Sequence, residues 1–324
     1  MAAAAKRHYL AYGLRIAADL ELSLRQITAA GEPDVTLTAG TSGSTPPIAP
    51  GTPERADVIA DCAPDGQRFY LAMRSSTGYR IWFRDVAVFE IAPSLRHVTW
   101  RTSAEDHRAE LVPVVFEGTV LALLLLLRKQ LVLHASAVRL DDAALAFVGQ
   151  SGRGKSTMAA WMAGVGAQLI SDDVLAVDVG SAEGARCLGS ASSLRLRDAA
   201  RPLADLPNQA SRTSETPDAR LAMFPAAVAD GWTPLGGVII PTPSRRAKEL
   251  EVTQLSTSDA LVRLASFPRL YGITSPEIAR PQFEQLAHLV RTVPVAEVVV
   301  PWGPPFGPEV PVRLAELHRS WTSG

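Results

Sequence analysis

A glycine-rich run, GQSGRGKST at residues 149–157, is the first feature of the sequence that could perform chemistry. Glycines allow successive backbone N–H groups to point at phosphate oxygens, and the N-terminus of a following helix adds partial positive charge. Lysine then reaches the β- and γ-phosphates, and the serine hydroxyl binds Mg²⁺. The run is a full Walker A match, and it predicts a site for ATP and Mg²⁺ formed by Gly149, Ser151, Gly152, Arg153, Gly154, Lys155, Ser156 and Thr157.

Two adjacent aspartates, Asp172 and Asp173, end an apolar run seventeen residues after Lys155. One carboxylate beside a Walker A loop is typical of a Mg²⁺ ligand. A second carboxylate suits general-base removal of a proton from an attacking hydroxyl. A solvated turn after a strand is the simpler alternative, but the upstream loop favours a functional pair.

His134 lies in a strand-like run, QLVLHASAV at 130–138. A histidine in an apolar strand is usually a hydrogen-bonded core residue. The next apolar run, AALAFVG at 143–149, follows a turn at Asp141-Asp142, so the two runs predict an antiparallel hairpin that leads into the glycine loop. This hairpin would bring His134 close to the loop, and we therefore expect a functional role for it.

Composition and charge exclude several classes of protein. The chain has 324 residues, of which 47% are hydrophobic and 20% charged, with a formal net charge of −1. These values are ordinary for a globular protein and do not suggest a nucleic-acid partner. The most apolar stretch, VLALLLLL at 120–127, is about half the length that spans a bilayer, and the N-terminus has no signal-like apolar region. We expect a cytoplasmic protein with no membrane partner.

The coarse pattern of elements predicts two domains. Residues 1–110 mix β-branched and aromatic residues with turn signals, interrupted by a loop-like Pro/Gly/Ser/Thr segment at 38–56, and predict a β-rich domain that is a substrate platform or structural. Residues 111–324 predict an α/β domain. Its expected elements are a leucine-rich core helix, the hairpin, a helix at about 155–164, a strand and its exit at 167–177, a loop-like region at 201–234 and a strand at 235–241. A helix at 256–267 with Ser256 or Thr257 near its N-cap, a helix at 275–293 interrupted by Pro281, and a strand at 294–301 follow.

The loop, the aspartate pair and the histidine together resemble the HPr kinase/phosphorylase family. In that family a histidine precedes a GxSGxGKS loop by about fifteen residues and an aspartate pair follows it, as here. The resemblance covers roughly residues 112–300, and it implies a P-loop mixed-sheet fold related to bacterial-type phosphoenolpyruvate carboxykinases. The acidic residue and glutamate usual in the family's loop are absent here, as is its later signature loop.

The resemblance also implies roles for individual residues. Asp172 would be the base that faces the acceptor hydroxyl, Ser156 and Asp173 would bind Mg²⁺, and His134 would lie near the transferred phosphoryl group. Arginines can stabilise charge on that group. The candidates are Arg195, Arg197 and Arg220, and Arg195 is the first choice because a comparable LRL stretch follows the aspartate pair in related kinases.

The function predicted from these residues is transfer of the γ-phosphoryl group of ATP to a serine of a peptide or small protein. The stretch VLALLLLLRKQLVLHASAV is similar to the branch of the family that phosphorylates precursor peptides in lasso peptide pathways. Two alternatives stay open: a kinase for a small metabolite, and a nucleotide-dependent switch or binding protein without acceptor chemistry. Related kinases are commonly oligomeric, so a homo-oligomer is also an expectation.

Overall fold

A computed structural model describes residues 6–29, 31–40, 57–102, 107–190, 193–205, 210–303 and 307–323. The Pro/Gly-rich loop expected at 38–56 therefore lies largely outside the described residues. Over the described parts the chain is a mixed α/β protein with two large sheets and one small one.

The helices and strands follow in chain order. The first nine strands are β1 Arg7–Ala11, β2 Leu14–Ala18, β3 Arg25–Ile27, β4 Val35–Ala39, β5 Val58–Cys62, β6 Tyr70–Ser75, β7 Gly78–Phe83, β8 Ala87–Ile91 and β9 His97–Arg101. The remaining elements are α1 Val112–Val115, a π-helical turn Phe116–Val120, α2 Leu121–Leu127, β10 Leu131–Leu133, β11 Ala135–Leu140, β12 Ala143–Val148, α3 Lys155–Ala163, β13 Gln168–Ser171, β14 Leu175–Asp178, β15 Arg186–Leu188, β16 Leu194–Leu196, a 3₁₀ segment Asp198–Asp205, β17 Ala210–Glu215, β18 Leu221–Pro225, β19 Thr233–Ser244, β20 Glu251–Gln254, α4 Thr257–Ala265, α5 Pro276–Thr292, β21 Val295–Pro301 and α6 Glu309–Thr322.

The chain divides into two compact units. Unit 1 comprises Met1–Lys129 and Leu270–Gln282, and unit 2 comprises Gln130–Arg269 and Phe283–Gly324. The sequence-based division at residue 110 assigned the leucine-rich helix to the second domain, whereas this division groups it with unit 1. A later segment of the chain also belongs to unit 1, and no local sequence signal indicated this.

Unit 1 is built on a nine-stranded sheet in the order β3-β1-β2-β4-β9-β8-β7-β6-β5. Strands β2, β4 and β9 run parallel, and the other neighbours are antiparallel. The late segment is attached to the β5–β6 end of the sheet: the Tyr70 hydroxyl donates to the carbonyl of Tyr271 at 2.7 Å, and the Asp61 N–H donates to the carbonyl of Gly272 at 3.0 Å. The described elements of residues 7–101 are thus mainly strands.

The leucine-rich helix is longer than its sequence suggested. Helical residues run without a break from Ala109 to Leu127, which by length and composition would be enough to cross a membrane. However, 72% of its most apolar window is buried inside the protein. A buried core helix of a soluble protein has the same composition, and this burial agrees with the predicted core helix.

Unit 2 is built on a mixed sheet in the order β10-β14-β15-β19-β12-β11-β13, with β21 and β20 added beside β19. The predicted hairpin is confirmed, because β11 pairs antiparallel with β12. The three strands β12, β19 and β21 are parallel to one another. Helix α3 packs over this sheet through Met158, Trp161 and neighbouring apolar residues, in a core with Phe147, Ile239 and Val298.

Two parts of unit 2 differ from the sequence expectations. The run 167–177, expected to be a strand and its exit, contains two strands, β13 and β14, on either side of the aspartate pair. The region 201–234, expected to be loop-like, contains β17 and β18, which form a three-stranded sheet with β16 in the order β16-β18-β17. Its Pro, Asp and Ser content reflects turns and exposed strand positions, so composition alone could not distinguish it from a loop.

Candidate active site

The glycine loop connects β12 to α3, as the motif predicted. Gly152 and Gly154 have φ values of +81° and +87°, a region in which residues with side chains are strained. At both positions a neighbour also occupies the space that a Cβ would need: Arg197 Nη1 lies 3.2 Å from that point at Gly152, and Trp302 Cζ2 lies 3.1 Å from it at Gly154. The backbone turn therefore requires both glycines, and close packing of the Trp302 ring is a second requirement at Gly154.

Lys155 is the first residue of α3, and it is buried. Its ammonium group donates to the carbonyls of Gly149 at 2.9 Å and Gln150 at 3.1 Å, within the loop itself. Burial lowers the pKa of this ammonium to about 8, although Asp173 and Asp172 act in the opposite direction. The Lys155 ammonium group thus lies inside the loop, and a bound phosphate would replace the carbonyls of Gly149 and Gln150 as its hydrogen-bond partner.

The aspartate pair forms the tight turn between β13 and β14. Asp173 has a φ of +77°, a left-handed conformation that aspartate tolerates better than most residues. The Ser171 hydroxyl donates to the Val174 carbonyl across the turn. This geometry directs the two carboxylates to different partners, which their adjacency in sequence did not indicate.

Asp172 is bonded to the glycine loop. Its Oδ1 accepts from the Ser156 hydroxyl at 2.7 Å and from the Ser136 hydroxyl at 2.6 Å, and its Oδ2 accepts from the backbone N–H of Arg195 at 2.9 Å. In Walker-type sites Mg²⁺ is held by the loop Ser or Thr hydroxyl and a carboxylate on a nearby strand. Ser156 and Asp172 have that relationship.

Asp173 lies among cationic and imidazole groups. Its Oδ1 is 3.2 Å from Nε2 of His134, and its Oδ2 is 2.6 Å from Nη2 of Arg269 and 3.4 Å from Nη2 of Arg195. Burial raises the pKa of this carboxyl, but Arg269, His134 and Arg195 together hold it well below its usual value. Asp173 is therefore ionised at neutral pH.

His134 is buried beside Asp173, between β10 and β11. Burial lowers its pKa, and the hydrogen bond with Asp173 only partly opposes this shift. The imidazole is therefore neutral at pH 7, and it can share a proton with the carboxylate.

The three arginines proposed from the sequence all line the cavity. Arg195 contacts Asp173 and lies 3.8 Å from Asp218, which also pairs with Nε of Arg220 at 3.2 Å. Arg197 donates to the Ser151 hydroxyl at 3.2 Å. The small sheet that the sequence failed to predict thus carries these arginines, since β16 and the β17–β18 turn place them around the glycine loop.

One cavity brings together most of the residues that the sequence selected. Its lining includes Ser151, Gly152, Gly154, Lys155, Ser156, Thr157, His134, Asp172, Asp173, Arg195, Arg197 and Arg220. Gly149 and Arg153 are not part of that lining; Gly149 acts through its carbonyl on Lys155, and Arg153 is exposed.

Three residues at this site escaped sequence analysis: Ser136, Arg269 and Trp302. Ser136 had a detectable signal, because it lies two positions after His134 in an extended run and so shares a side with it. Arg269 had none, since it follows α4 outside any motif and is 96 residues from its partner Asp173. Trp302 follows β21, and it contacts the glycine loop because β12 and β21 both pair parallel with β19, which the sequence did not indicate.

The residues present fit a nucleotide with Mg²⁺ better than a metal held by protein alone. Across the described ranges, no group of three or more His, Cys, Asp or Glu side chains could hold a metal ion. Mg²⁺ in phosphate-transfer sites commonly has one or two protein ligands and completes its shell with phosphates and water. Ser156 and Asp172 would be those ligands here.

Comparison with known proteins does not supply a family. No protein-family model matches the chain, and no curated protein matches it. Among solved structures, the chain is similar to the Hpr(Ser) kinase/phosphatase from Coxiella burnetii, with a TM-score of 0.33 and 12% sequence identity over 58% of this chain and 88% of that chain. The relationship is distant at most.

Proposed function

We propose that unit 2 is an ATP-dependent kinase that transfers the γ-phosphoryl group to a serine hydroxyl of a peptide or small protein. The observation that carries this proposal is the hydrogen bond between Ser156 and Asp172, next to a second carboxylate that is paired with a histidine. The Ser156–Asp172 contact is typical of a site that binds a nucleotide with Mg²⁺. The second carboxylate, Asp173, would remove the proton from a bound acceptor hydroxyl.

Phosphate binding is assigned to the glycine loop. Lys155 and the backbone N–H groups at the start of α3 would bind the β- and γ-phosphates, since no side chain caps this helix. Arg195, Arg197 and Arg220 would contact the oxygens of the transferred group and stabilise its charge. When bound, Mg²⁺ neutralises part of the phosphate charge.

The contacts favour a division of labour opposite to the one that the family resemblance implied. Asp172 shares a hydrogen bond with the metal-binding hydroxyl of Ser156, which supports Asp172 as the Mg²⁺ ligand. Asp173 pairs with His134 and Arg269, which supports Asp173 as the carboxylate facing the acceptor. Arg269 and Arg195 keep Asp173 ionised in that position.

In the transfer step, the serine oxygen forms a bond to the γ-phosphorus while the bond from that phosphorus to the β–γ bridging oxygen breaks. ADP leaves with the electron pair. Asp173 orients the attacking hydroxyl, and the hydroxyl proton passes to the Asp173–His134 pair. Because the transition state of phosphoryl transfer is loose, positioning and charge stabilisation contribute more than the strength of the base.

An extended peptide is the proposed acceptor because of the small sheet. Strand β17 is an edge of that sheet, and its described side chains are exposed. The turn that follows it carries Arg220 to the cavity. Exposed edge strands bind extended peptides by backbone pairing, so a peptide on β17 would be led toward the phosphate site.

The experiment combines binding with transfer. Calorimetry should detect Mg²⁺-dependent ATP binding by the full chain, and Lys155→Ala should abolish it because a charge-assisted phosphate contact is lost. ATP labelled in its γ-phosphate should then label serine in a peptide encoded near the gene, and a Ser→Ala copy of that peptide should stay unlabelled.

Other outcomes favour the alternatives. Label only in small hydroxyl-bearing metabolites, with every peptide untouched, would replace the peptide kinase by a metabolite kinase. ATP binding without transfer to any acceptor would support a nucleotide-dependent switch. A folded wild-type protein that does not bind ATP would refute the proposal.

A further inference from the structure

Trp302 is placed beside the glycine loop by the parallel part of the sheet in unit 2. Strands β12 and β21 both run parallel to β19, so their carboxyl ends lie at the same edge. The loop of residues 149–154 leaves the end of β12, and Trp302 follows directly after the end of β21. Ligands of α/β sheets bind at this edge.

The position of the Trp302 ring is well defined. Its benzene edge lies against Gly154, where a Cβ would collide with Cη2, and its ring is packed edge-on with Trp161 of α3 at a centroid distance of 6.5 Å and an interplanar angle of 82°. The Trp302 backbone N–H donates to the carbonyl of Ser244 at 3.0 Å. Helix α3 and the end of β19 thus hold the indole next to the phosphate cradle.

The cavity lining is chemically divided. Most of it consists of charged and hydroxyl side chains, which suit phosphates and a metal ion. Trp302, Ala199 and Ala200 form its apolar part. The polar part accounts for the phosphates of the nucleotide, whereas the proposed chemistry uses none of the apolar residues.

We infer that Trp302 binds the nucleobase of the nucleotide by aromatic stacking. This inference rests on the proposed function and adds to it a residue that binds the base of the nucleotide. A nucleotide held by its phosphates in the loop must place its base on a surface adjoining that loop. Among the described residues that line the cavity, Trp302 is the aromatic one, and it contacts the loop at Gly154. Stacking on an aromatic residue is favourable for any base because each has a π-face.

The test compares ATP with inorganic triphosphate, which has the phosphates but no base. Affinities of both ligands for the full chain are measured by calorimetry for the wild type, Trp302→Ala and Trp302→Phe. Trp302→Ala should weaken ATP binding about 5- to 150-fold, the range expected for loss of one base–aromatic stack. Inorganic triphosphate should bind within about twofold of wild type, and Trp302→Phe should recover part of the ATP affinity. Trp232→Phe, an exposed tryptophan in the same unit, is the matched control and should change neither affinity.

Each remaining outcome counts against the inference. If Trp302→Ala lowers the affinities for ATP and inorganic triphosphate equally, the indole only shapes the glycine loop. If it weakens neither, the base lies elsewhere. A wild-type protein that binds neither ligand would instead refute the proposed function, which separates the two failures.

Discussion

The two units of this protein differ in whether they bury charged side chains. In unit 1 ion pairs such as Arg7–Glu21 and Arg96–Glu32 lie at the surface, and the side chain of each of these glutamates is 82% exposed. In unit 2 the site buries His134 and Lys155 almost completely, and only 11% of the Arg269 side chain is exposed. The free-energy cost of removing charged groups from water therefore falls mainly on the site in unit 2.

That cost is large unless the charges are paired, and a paired buried cluster adds little net stability compared with apolar packing. Unit 1 buries mainly apolar side chains. Some of its charged groups are partly buried, such as Arg128, which donates to the carbonyls of Asp34 and Leu95, and the Arg80–Glu90 pair. A cluster of buried charges with shifted pKa values is typical of a functional site. The contrast therefore supports a site in unit 2, and four predictions test it.

The largest expected effect distinguishes the two aspartates. Asp173→Asn should reduce phosphoryl transfer about 10²- to 10⁴-fold while leaving ATP affinity largely unchanged, because the amide cannot accept the hydroxyl proton. Asp172→Asn should instead raise the Mg²⁺ concentration needed for half-maximal activity. Transfer assays across a Mg²⁺ titration measure both, with circular dichroism to verify folding. The reverse pattern would restore the roles that the family resemblance implied.

The second prediction concerns stability. Arg269→Ala should lower the free energy of unfolding by about 3 kcal/mol, because it leaves the buried Asp173 carboxylate without its shortest cationic contact. The matched control is Arg263→Ala, whose side chain is 47% exposed and pairs with Glu297 in the same unit. It should cost at most about 1 kcal/mol. Urea unfolding of both variants checks this, and equal costs would show that burial of the Asp173 cluster has no special effect.

A smaller effect is expected from pH. Below pH 8 the Lys155 ammonium is charged and attracts phosphate; as the pH rises through about 8 the free protein loses that proton. ATP affinity should therefore fall between pH 7.5 and 9.5, by up to about tenfold per pH unit, since phosphate ionisation is already complete there. Lys155→Arg keeps its charge throughout. A wild-type profile as flat as that of Lys155→Arg would contradict the assigned pKa.

The smallest effect belongs to the surface of unit 1. Glu32→Ala removes the partner of Arg96, an ion pair 2.8 Å long whose carboxylate is almost fully exposed. Solvent and salt screen such pairs, so the free energy of unfolding should change by less than about 1 kcal/mol and ATP affinity should not change. Thermal unfolding at low and high salt measures the change in the free energy of unfolding. A large loss would show that the contrast between the units is overstated.

Much of the local structure could be predicted from the sequence. The β11–β12 hairpin and helix α3 occur where apolar periodicity and the glycine signals placed them. Helix α4 begins after Ser256, whose side chain accepts from the N–H of Asp259, as its capping pattern predicted. These features depend on backbone preferences and hydrogen bonds within a few residues.

Other parts could not be predicted because their elements depend on distant partners. Strands β16, β17 and β18 are short, β17 is rich in polar residues, and the three form a sheet by pairing with each other. Pro281 suggested an interruption of the helix, but α5 continues through it from Pro276 to Thr292. A proline six positions into a helix loses one backbone hydrogen bond, and neighbouring packing can offset that loss.

By itself, then, the sequence determined the glycine loop, because positive φ at Gly152 and Gly154 and the helix that follows are local properties of the chain. The types and spacing of His134 and the aspartate pair also predicted functional roles for these residues. Only the tertiary structure decided that Asp172 bonds to Ser156 while Asp173 bonds to His134 and Arg269, and that Trp302 lies on Gly154. Those contacts join residues up to about 150 positions apart, and they are set by sheet order and packing, which no local pattern encodes.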